Sequence, residues 1–82
     1  MRIAVISMVI DEPSKVQKEV NGVIGEYKEI IKGRMGIPVP EEEVSIISIA
    51  VIGDLDDINA FTGKLGKIEN VNVKTSFSKK EF

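Results

Sequence analysis

Two long apolar runs constrain this chain most: RIAVISMVI at residues 2–10 and VSIISIAVI at residues 44–52. Both are rich in β-branched residues, which favour strands. Apolar residues occupy consecutive positions in each run, so both strands are predicted to be buried on both faces. A segment with helical spacing follows each run. The sequence therefore predicts two β-α units.

The segment after the first run has the features of a helix start. Asp11 or Ser14 is expected to cap the helix, with Pro13 in its first turn and Ser14 and Gln17 forming a capping box. One apolar stripe is predicted along this helix, formed by Val16, Val20, Val23, Ile24, Tyr27 and Ile31.

The second helix is expected to begin at Asp54, with two further aspartates, Asp56 and Asp57, in its positive first turn. Its apolar face is predicted to consist of Leu55, Ile58, Phe61, Thr62 and Leu65. Gly66 is expected to end the helix in the left-handed conformation, and Ile68 to fold back over the last turn. Gly63 lies inside the helix and is expected to allow a neighbouring backbone to approach.

Two weaker segments complete the order of elements. Residues 30–36 are predicted to form an edge strand, because Pro38 and Pro40 exclude a central one. Residues 70–77 alternate as in a half-exposed strand, and residues 78–82 are expected to be frayed. The chain is therefore predicted to be a single α+β domain over residues 1–82. It is expected to adopt a ferredoxin-like βαββαβ sandwich, with a four-stranded antiparallel sheet and both helices on one face.

The composition narrows the function. The chain has no cysteine and no histidine, and its net charge is −2 without a basic face. We therefore expect no catalytic residues, no metal site, no cofactor and no direct binding of DNA. Two alternatives stay open: a small enzyme of ferredoxin-like fold, and an RNA-binding module that uses the G-x-x-G spacing of residues 33–36.

Several charged groups have simpler structural explanations. The aspartates at positions 54, 56 and 57 could bind a hard cation, but helix capping is the favoured interpretation. The glutamates at positions 41–43 are expected to lie in a solvated turn, and Lys64, Lys67, Lys79 and Lys80 on solvated surfaces.

Residues 34–75 resemble a known family. The stretches RMGIPV and INAFTGKLGKIENVNVKT look like the small iron-only hydrogenase system regulators, most specifically at residues 63–66 and 71–75. This resemblance implies an ACT-like fold, similar to the ligand-binding half of nickel-responsive repressors, and regulation rather than catalysis. It also implies a small effector, for which Asp11, Ser14, Arg34 and Gly36 are the candidate residues. The nickel site of those repressors is not expected here, because they bind the metal with histidine and cysteine, and this chain contains neither. Their ribbon-helix-helix segment is not expected either.

The two apolar runs also predict an assembly. If both helices cover one face of the sheet, apolar residues of the central strands remain on the other face, forming a patch larger than monomers normally expose. We expect a homodimer or homotetramer that covers this face or extends the sheet edge to edge, with Asn72 and Lys74 at its rim. A protein partner is a further candidate. The apolar run at residues 3–10 is too short to span a bilayer, and a cytoplasmic location is expected.

Overall fold

The computed structural model describes residues 1–82, which form six main elements. In chain order they are β1 (Arg2–Asp11), α1 (Pro13–Glu26), β2 (Ile31–Val39), β3 (Val44–Gly53), α2 (Leu55–Gly66) and β4 (Val71–Glu81). A short 3-10 turn, Pro40–Glu42, joins β2 to β3. The strands form one antiparallel sheet in the order β2-β3-β1-β4. The predicted βαββαβ order is confirmed, and so is the central position of the two apolar strands.

The core lies on one face of the sheet only. Along β1, Ala4, Ile6, Met8 and Ile10 are buried, whereas the residues between them are exposed. The helices supply the other side of this core, which contains Val16, Val20, Ile24, Ile58, Phe61, Leu65 and Ile68. Both helices therefore cover the same face, as predicted. Burial of the central strands on both faces is not found in the single chain, because residues such as Val5 and Val9 are exposed.

The start of α1 differs from the prediction. Glu12 is the N-cap, its backbone is left-handed (φ 50°), and no side chain caps the helix. Neither Asp11 nor Ser14 is the cap, and the Ser14–Gln17 capping box is wrong because Ser14 already lies inside the first turn. The backbone N–H of Glu12 donates to the carbonyl of Glu43 at 2.8 Å. This bond between distant segments holds the unusual conformation, which the local sequence does not reveal.

The edge strand β2 is longer than the predicted segment 30–36. It runs from Ile31 to Val39 and includes Pro38, which an edge strand tolerates because one side needs no ladder bonds. Ile31 consequently begins β2 and does not extend the apolar stripe of α1, which ends at Glu26. On α2, Leu55 is exposed and does not join the apolar face.

The two glycine predictions for α2 are wrong. Gly66 is the last helical residue, and Lys67 after it has φ −82°, so no left-handed residue ends the helix. The left-handed residue is Asn70 (φ 69°), immediately before β4. A Cβ added at Gly63 would meet nothing within 4 Å, so no backbone approaches it closely. Ile68 is buried, as predicted, and Asp54 occupies the N-cap position without a side-chain hydrogen bond.

The C-terminal segment is ordered as part of β4 rather than frayed. The guanidinium of Arg2 donates to the carbonyl of Ser78 at 3.3 Å and lies 3.8 Å from the carboxylate of Glu81. The backbone N–H of Phe82 donates to the carbonyl of Met1 at 3.0 Å. These contacts bring the two ends of the chain together beside β1.

Candidate functional site

A cleft opens on the helix side of the sheet, between α1 and β2. Its volume is about 370 Å³. The lining comes from α1, the edge strand, the turn between β2 and β3, and the adjoining central strands. These residues are Ile10, Pro13, Gln17, Val20, Asn21, Arg34, Gly36, Pro38, Pro40, Glu43, Val44, Ser45 and Ile47. The cleft exists because neither helix covers β2, which is exposed over most of its length.

The register of the sheet decides which β2 residues reach the cleft. Arg34 pairs with Ile49 and Gly36 pairs with Ile47, and both isoleucines are buried on the helix face. Paired residues lie on the same face of a sheet, so Arg34 and Gly36 also face the helices. Gly36 has no side chain, and a Cβ at this position would meet nothing within 4 Å. The floor of the cleft is therefore open where Gly36 lies.

The helix contributes two neutral amides. Gln17 and Asn21 are four residues apart on α1, which places them on one helix face, and both line the cleft. Between them Val20 is buried in the core and anchors this part of the helix. Each amide has both donor and acceptor groups. Neither side chain forms a hydrogen bond within the protein.

Two charged residues of opposite sign line the cleft. Arg34 forms neither a salt bridge nor a side-chain hydrogen bond, although its guanidinium carries five N–H donors. Glu43 follows the 3-10 turn and has a left-handed backbone. Ser45 adds a hydroxyl group from β3. The cleft thus combines one available cation, one carboxylate and three neutral polar side chains, which suits a small polar ligand.

The structure separates the four residues expected to contact an effector. Arg34 and Gly36 line the cleft, whereas Asp11 and Ser14 do not. The backbone N–H of Asp11 donates instead to the carbonyl of Asn70 at 2.9 Å, directly after the last residue pair between β1 and β4. Sequence reasoning missed Gln17, Asn21, Glu43 and Ser45. The i, i+4 pair of amides beside a buried valine was the available signal for the first two.

Two alternative interpretations weighed from the sequence concern RNA binding and metal binding. Residues 33–36 lie within β2, whereas a KH-type G-x-x-G loop lies between two helices, so that interpretation is wrong. No group of three or more His, Cys, Asp or Glu residues is arranged to hold a metal ion. Neither helix has both the length and the apolar character needed to cross a membrane.

Solved structures share this fold over nearly the whole chain. The uncharacterized protein TM1266 from Thermotoga maritima superposes with a TM-score of 0.91 at 37% identity, covering 95% of this chain and 98% of that one. The ACT domain of GTP pyrophosphokinase from Chlorobium tepidum gives a TM-score of 0.68 at 15% identity, covering 96% and 88%. An ACT domain protein from Streptococcus pneumoniae gives 0.62 at 21% identity, covering 93% and 89%. The two ACT domains establish the ACT-like fold alone.

Sequence comparison gives the family. None of the curated proteins compared with the chain matches it. The family model described as "TM1266-like: Iron-only hydrogenase system regulator, putative" matches residues 2–75. This span runs from the start of β1 into β4 and includes every residue of the cleft. The chain therefore belongs to the TM1266-like family of iron-only hydrogenase system regulators.

Proposed function

We propose that this protein is a regulatory module that binds a small anionic effector in the cleft between α1 and β2. The observation that carries this proposal is the unpaired guanidinium of Arg34 at the cleft. Arginine binds carboxylates and phosphates through two parallel N–H donors, and it does so more selectively than a flexible lysine. An effector with a carboxylate would supply the partner that the protein itself does not.

The rest of the lining favours a ligand with a second polar group. Gln17 and Asn21 can donate to or accept from a hydroxyl, an amide or a carboxylate. Glu43 would accept a hydrogen bond from an ammonium or hydroxyl group on the ligand. The volume of about 370 Å³ lies near the lower end of the range for small-molecule sites. A small carboxylic acid that also carries a donor group matches this lining best.

The description of the family supports regulation, whereas its structural neighbours show the fold. The description of the family names a regulator. ACT domains in the compared structures belong to larger proteins or to proteins named only by that domain. A non-catalytic binding module is consistent with the family description and with the ACT-like fold.

The contents of the cleft favour binding over catalysis. Glu43 is the only carboxylate among the lining residues, no lysine or tyrosine lines the cleft, and Ser45 forms no hydrogen bond with Glu43. Activated nucleophiles need a base within hydrogen-bond reach or a lowered pKa. We therefore propose a non-enzymatic role for the cleft.

The proposal is tested by NMR titration of the ¹⁵N-labelled protein with a panel of amino acids, hydroxy acids and dicarboxylates. We expect one class to shift the amide signals of residues 17, 21, 34–36 and 45 in a saturable way. Arg34→Met should weaken this binding at least about tenfold, because truncating one partner of a charged hydrogen-bonded pair costs about 2 kcal/mol or more. Lys18→Met, a charge removal on α1 outside the cleft, is the matched control and should leave binding unchanged.

A second variant tests whether the ligand binds in the cleft, without changing the charge of the protein. Gly36→Val would place a branched side chain in the open floor of the cleft, where a Cβ meets no neighbour. The protein should fold normally and lose ligand binding. The proposal is wrong if no compound in the panel shifts these signals at millimolar concentration, or if both Arg34→Met and Gly36→Val bind as well as the wild type.

A further inference from the structure

The face of the sheet away from the helices carries exposed apolar residues in a regular arrangement. Register arranges the middle of this open face into three rows of four residues, which cross the strands in the order β2, β3, β1, β4. The rows are Ile37, Ile46, Val9 and Asn72; Met35, Ser48, Ser7 and Lys74; and Gly33, Ala50, Val5 and Ser76. Five of these side chains are large, apolar and exposed, and Met35 is 61% exposed.

The open face has the size of a protein interface. Four strands at the usual spacing span roughly 20 Å, and strands of ten residues span roughly 30 Å, which gives a plane of roughly 600 Å². Specific interfaces bury about 600–1,000 Å² on each partner. The apolar residues lie on β2, β3 and β1, whereas β4 contributes the polar residues Asn72, Lys74 and Ser76. The face thus has apolar residues on three strands and one polar margin along β4, and polar margins are common in interfaces.

The arrangement of the rows favours a second copy of this chain as the partner. The row through Ser48 and Ser7 lies in the middle. Two isoleucines lie on one side of it and Gly33 and Ala50 on the other, whereas β1 carries a valine on each side. Ile46 and Ala50 stand on opposite sides of Ser48 along β3, and Ile37 and Gly33 stand on opposite sides of Met35 along β2. A two-fold axis along the middle row exchanges these two sides in the second copy. Ile46 of one copy then packs over Ala50 of the other. In the same way, Ile37 of one copy packs over Gly33 of the other.

We propose that two copies pair through their open faces around this axis, forming a symmetric homodimer. Isologous interfaces require each patch to be complementary to itself, and the exchange of large for small residues across the middle row satisfies this requirement. Lys74 is the only charged residue among the twelve, and it lies on the edge strand β4. There the two lysine side chains extend into solvent while their alkyl stems cover the margin of the interface.

Cysteine cross-linking tests both the face and the axis. The protein contains no cysteine, so single substitutions report unambiguously. Ser48 lies on the proposed axis, and Ser48→Cys should give a covalent dimer with a short bis-maleimide. Ser76→Cys lies on the same face but two residues from the axis row, so its two copies stand apart and should not cross-link. Ser14→Cys, on α1, is the control for random collision. Cross-linking of Ser14→Cys as efficiently as Ser48→Cys would overturn the proposal.

Sedimentation equilibrium with charge variants gives the second test. Ala50→Lys puts a charge at the centre of the open face and should weaken the dimer by more than about tenfold, because it buries an unpaired charge. Asn59→Lys adds the same charge on the exposed surface of α2 and should leave the dimer intact. Circular dichroism verifies that both variants fold. A monomeric wild type at tens of micromolar, or a dimer that survives Ala50→Lys, would refute the open face as the interface. A dimer lost in Ala50→Lys without cross-linking of Ser48→Cys would refute the axis.

Discussion

The ring of Tyr27 stacks on the ring of Phe61, with centroids 4.7 Å apart and planes inclined by 20°. Phe61 is fully buried, whereas Tyr27 is half-buried and follows the last residue of α1. The stack therefore joins the end of the first helix to the middle of the second. Lys64 lies 5.3 Å from the centre of the Tyr27 ring and 3.1 Å from the carboxylate of Glu26.

A double-mutant cycle measures the energy of this stack. Tyr27→Leu and Phe61→Leu should each destabilise the protein, and the double variant should lose less than the sum of both. We expect a coupling of about 0.5–1.5 kcal/mol, the usual value for an aromatic pair beyond its burial. Urea denaturation gives the four free energies of unfolding. Additive effects would show that the rings pack only as two independent apolar groups.

The ion pair beside the stack predicts a dependence on pH. The hydrogen bond to Glu26, with a further contribution from Tyr27, raises the pKa of Lys64 above its ordinary value of 10.5. A raised pKa means that the contribution of Lys64 is fully present below pH 10.5 and is lost as the pH rises through the higher value of the folded state. The difference in Tm between the wild type and Lys64→Met should therefore shrink at higher pH. The effect should be small because the pair is exposed. Lys67→Met, which removes a lysine without an ion pair, is the control.

Two glycines should respond to alanine in opposite directions. Gly63 lies inside α2 with nothing near its missing Cβ, so Gly63→Ala should stabilise the protein by about 0.8–1 kcal/mol through helix propensity. At Gly53 the new Cβ would lie 3.0 Å from Cγ2 of Ile30 and 3.3 Å from its Cβ. Gly53→Ala should therefore destabilise it by about 1–3 kcal/mol through overpacking. Thermal unfolding measures both. A stabilising Gly53→Ala would show that Ile30 moves aside without cost.

Local pattern was sufficient to predict the order of elements. The two β-branched runs became the central strands, and Val16, Val20 and Ile24 of the predicted stripe became the core face of α1. The errors have a common physical origin in long-range contacts. Glu12, the N-cap of α1, is held by a hydrogen bond from its backbone N–H to the carbonyl of Glu43. The polar C-terminal segment pairs with β1 and contacts Arg2, although its own sequence shows no alternation. For the same reason, only Arg34 and Gly36 of the cleft were predicted from the sequence. Its walls come from α1, β2 and β3, which sequence spacing does not bring together.

Edge strand β2 lies between the two proposed surfaces. Arg34 and Gly36 face the cleft, and Met35 and Ile37, alternating with them, face the proposed dimer interface. The strand is paired on one side only, to β3, and its side chains are mostly exposed. Ordering β2 through either surface should therefore lower the entropic cost of binding at the other.

This arrangement predicts that effector and dimer stabilise each other. Saturation with the carboxylate identified by NMR should lower the Kd of the dimer by about 5-fold or more, the lower end of typical coupling between sites. Each dimer holds two effector sites, so linkage requires a change in effector affinity per site equal to the square root of the change in dimer Kd. Ala50→Lys should therefore weaken effector binding by about 2-fold or more, although it lies on the other face of the sheet. Sedimentation gives the first factor and NMR titration the second. Arg34→Met, which should bind the effector at least about tenfold more weakly, should show a smaller change in dimer Kd than the wild type at the same effector concentration. Equal dimer affinity with and without saturating effector in the wild type would show that β2 does not couple the two surfaces.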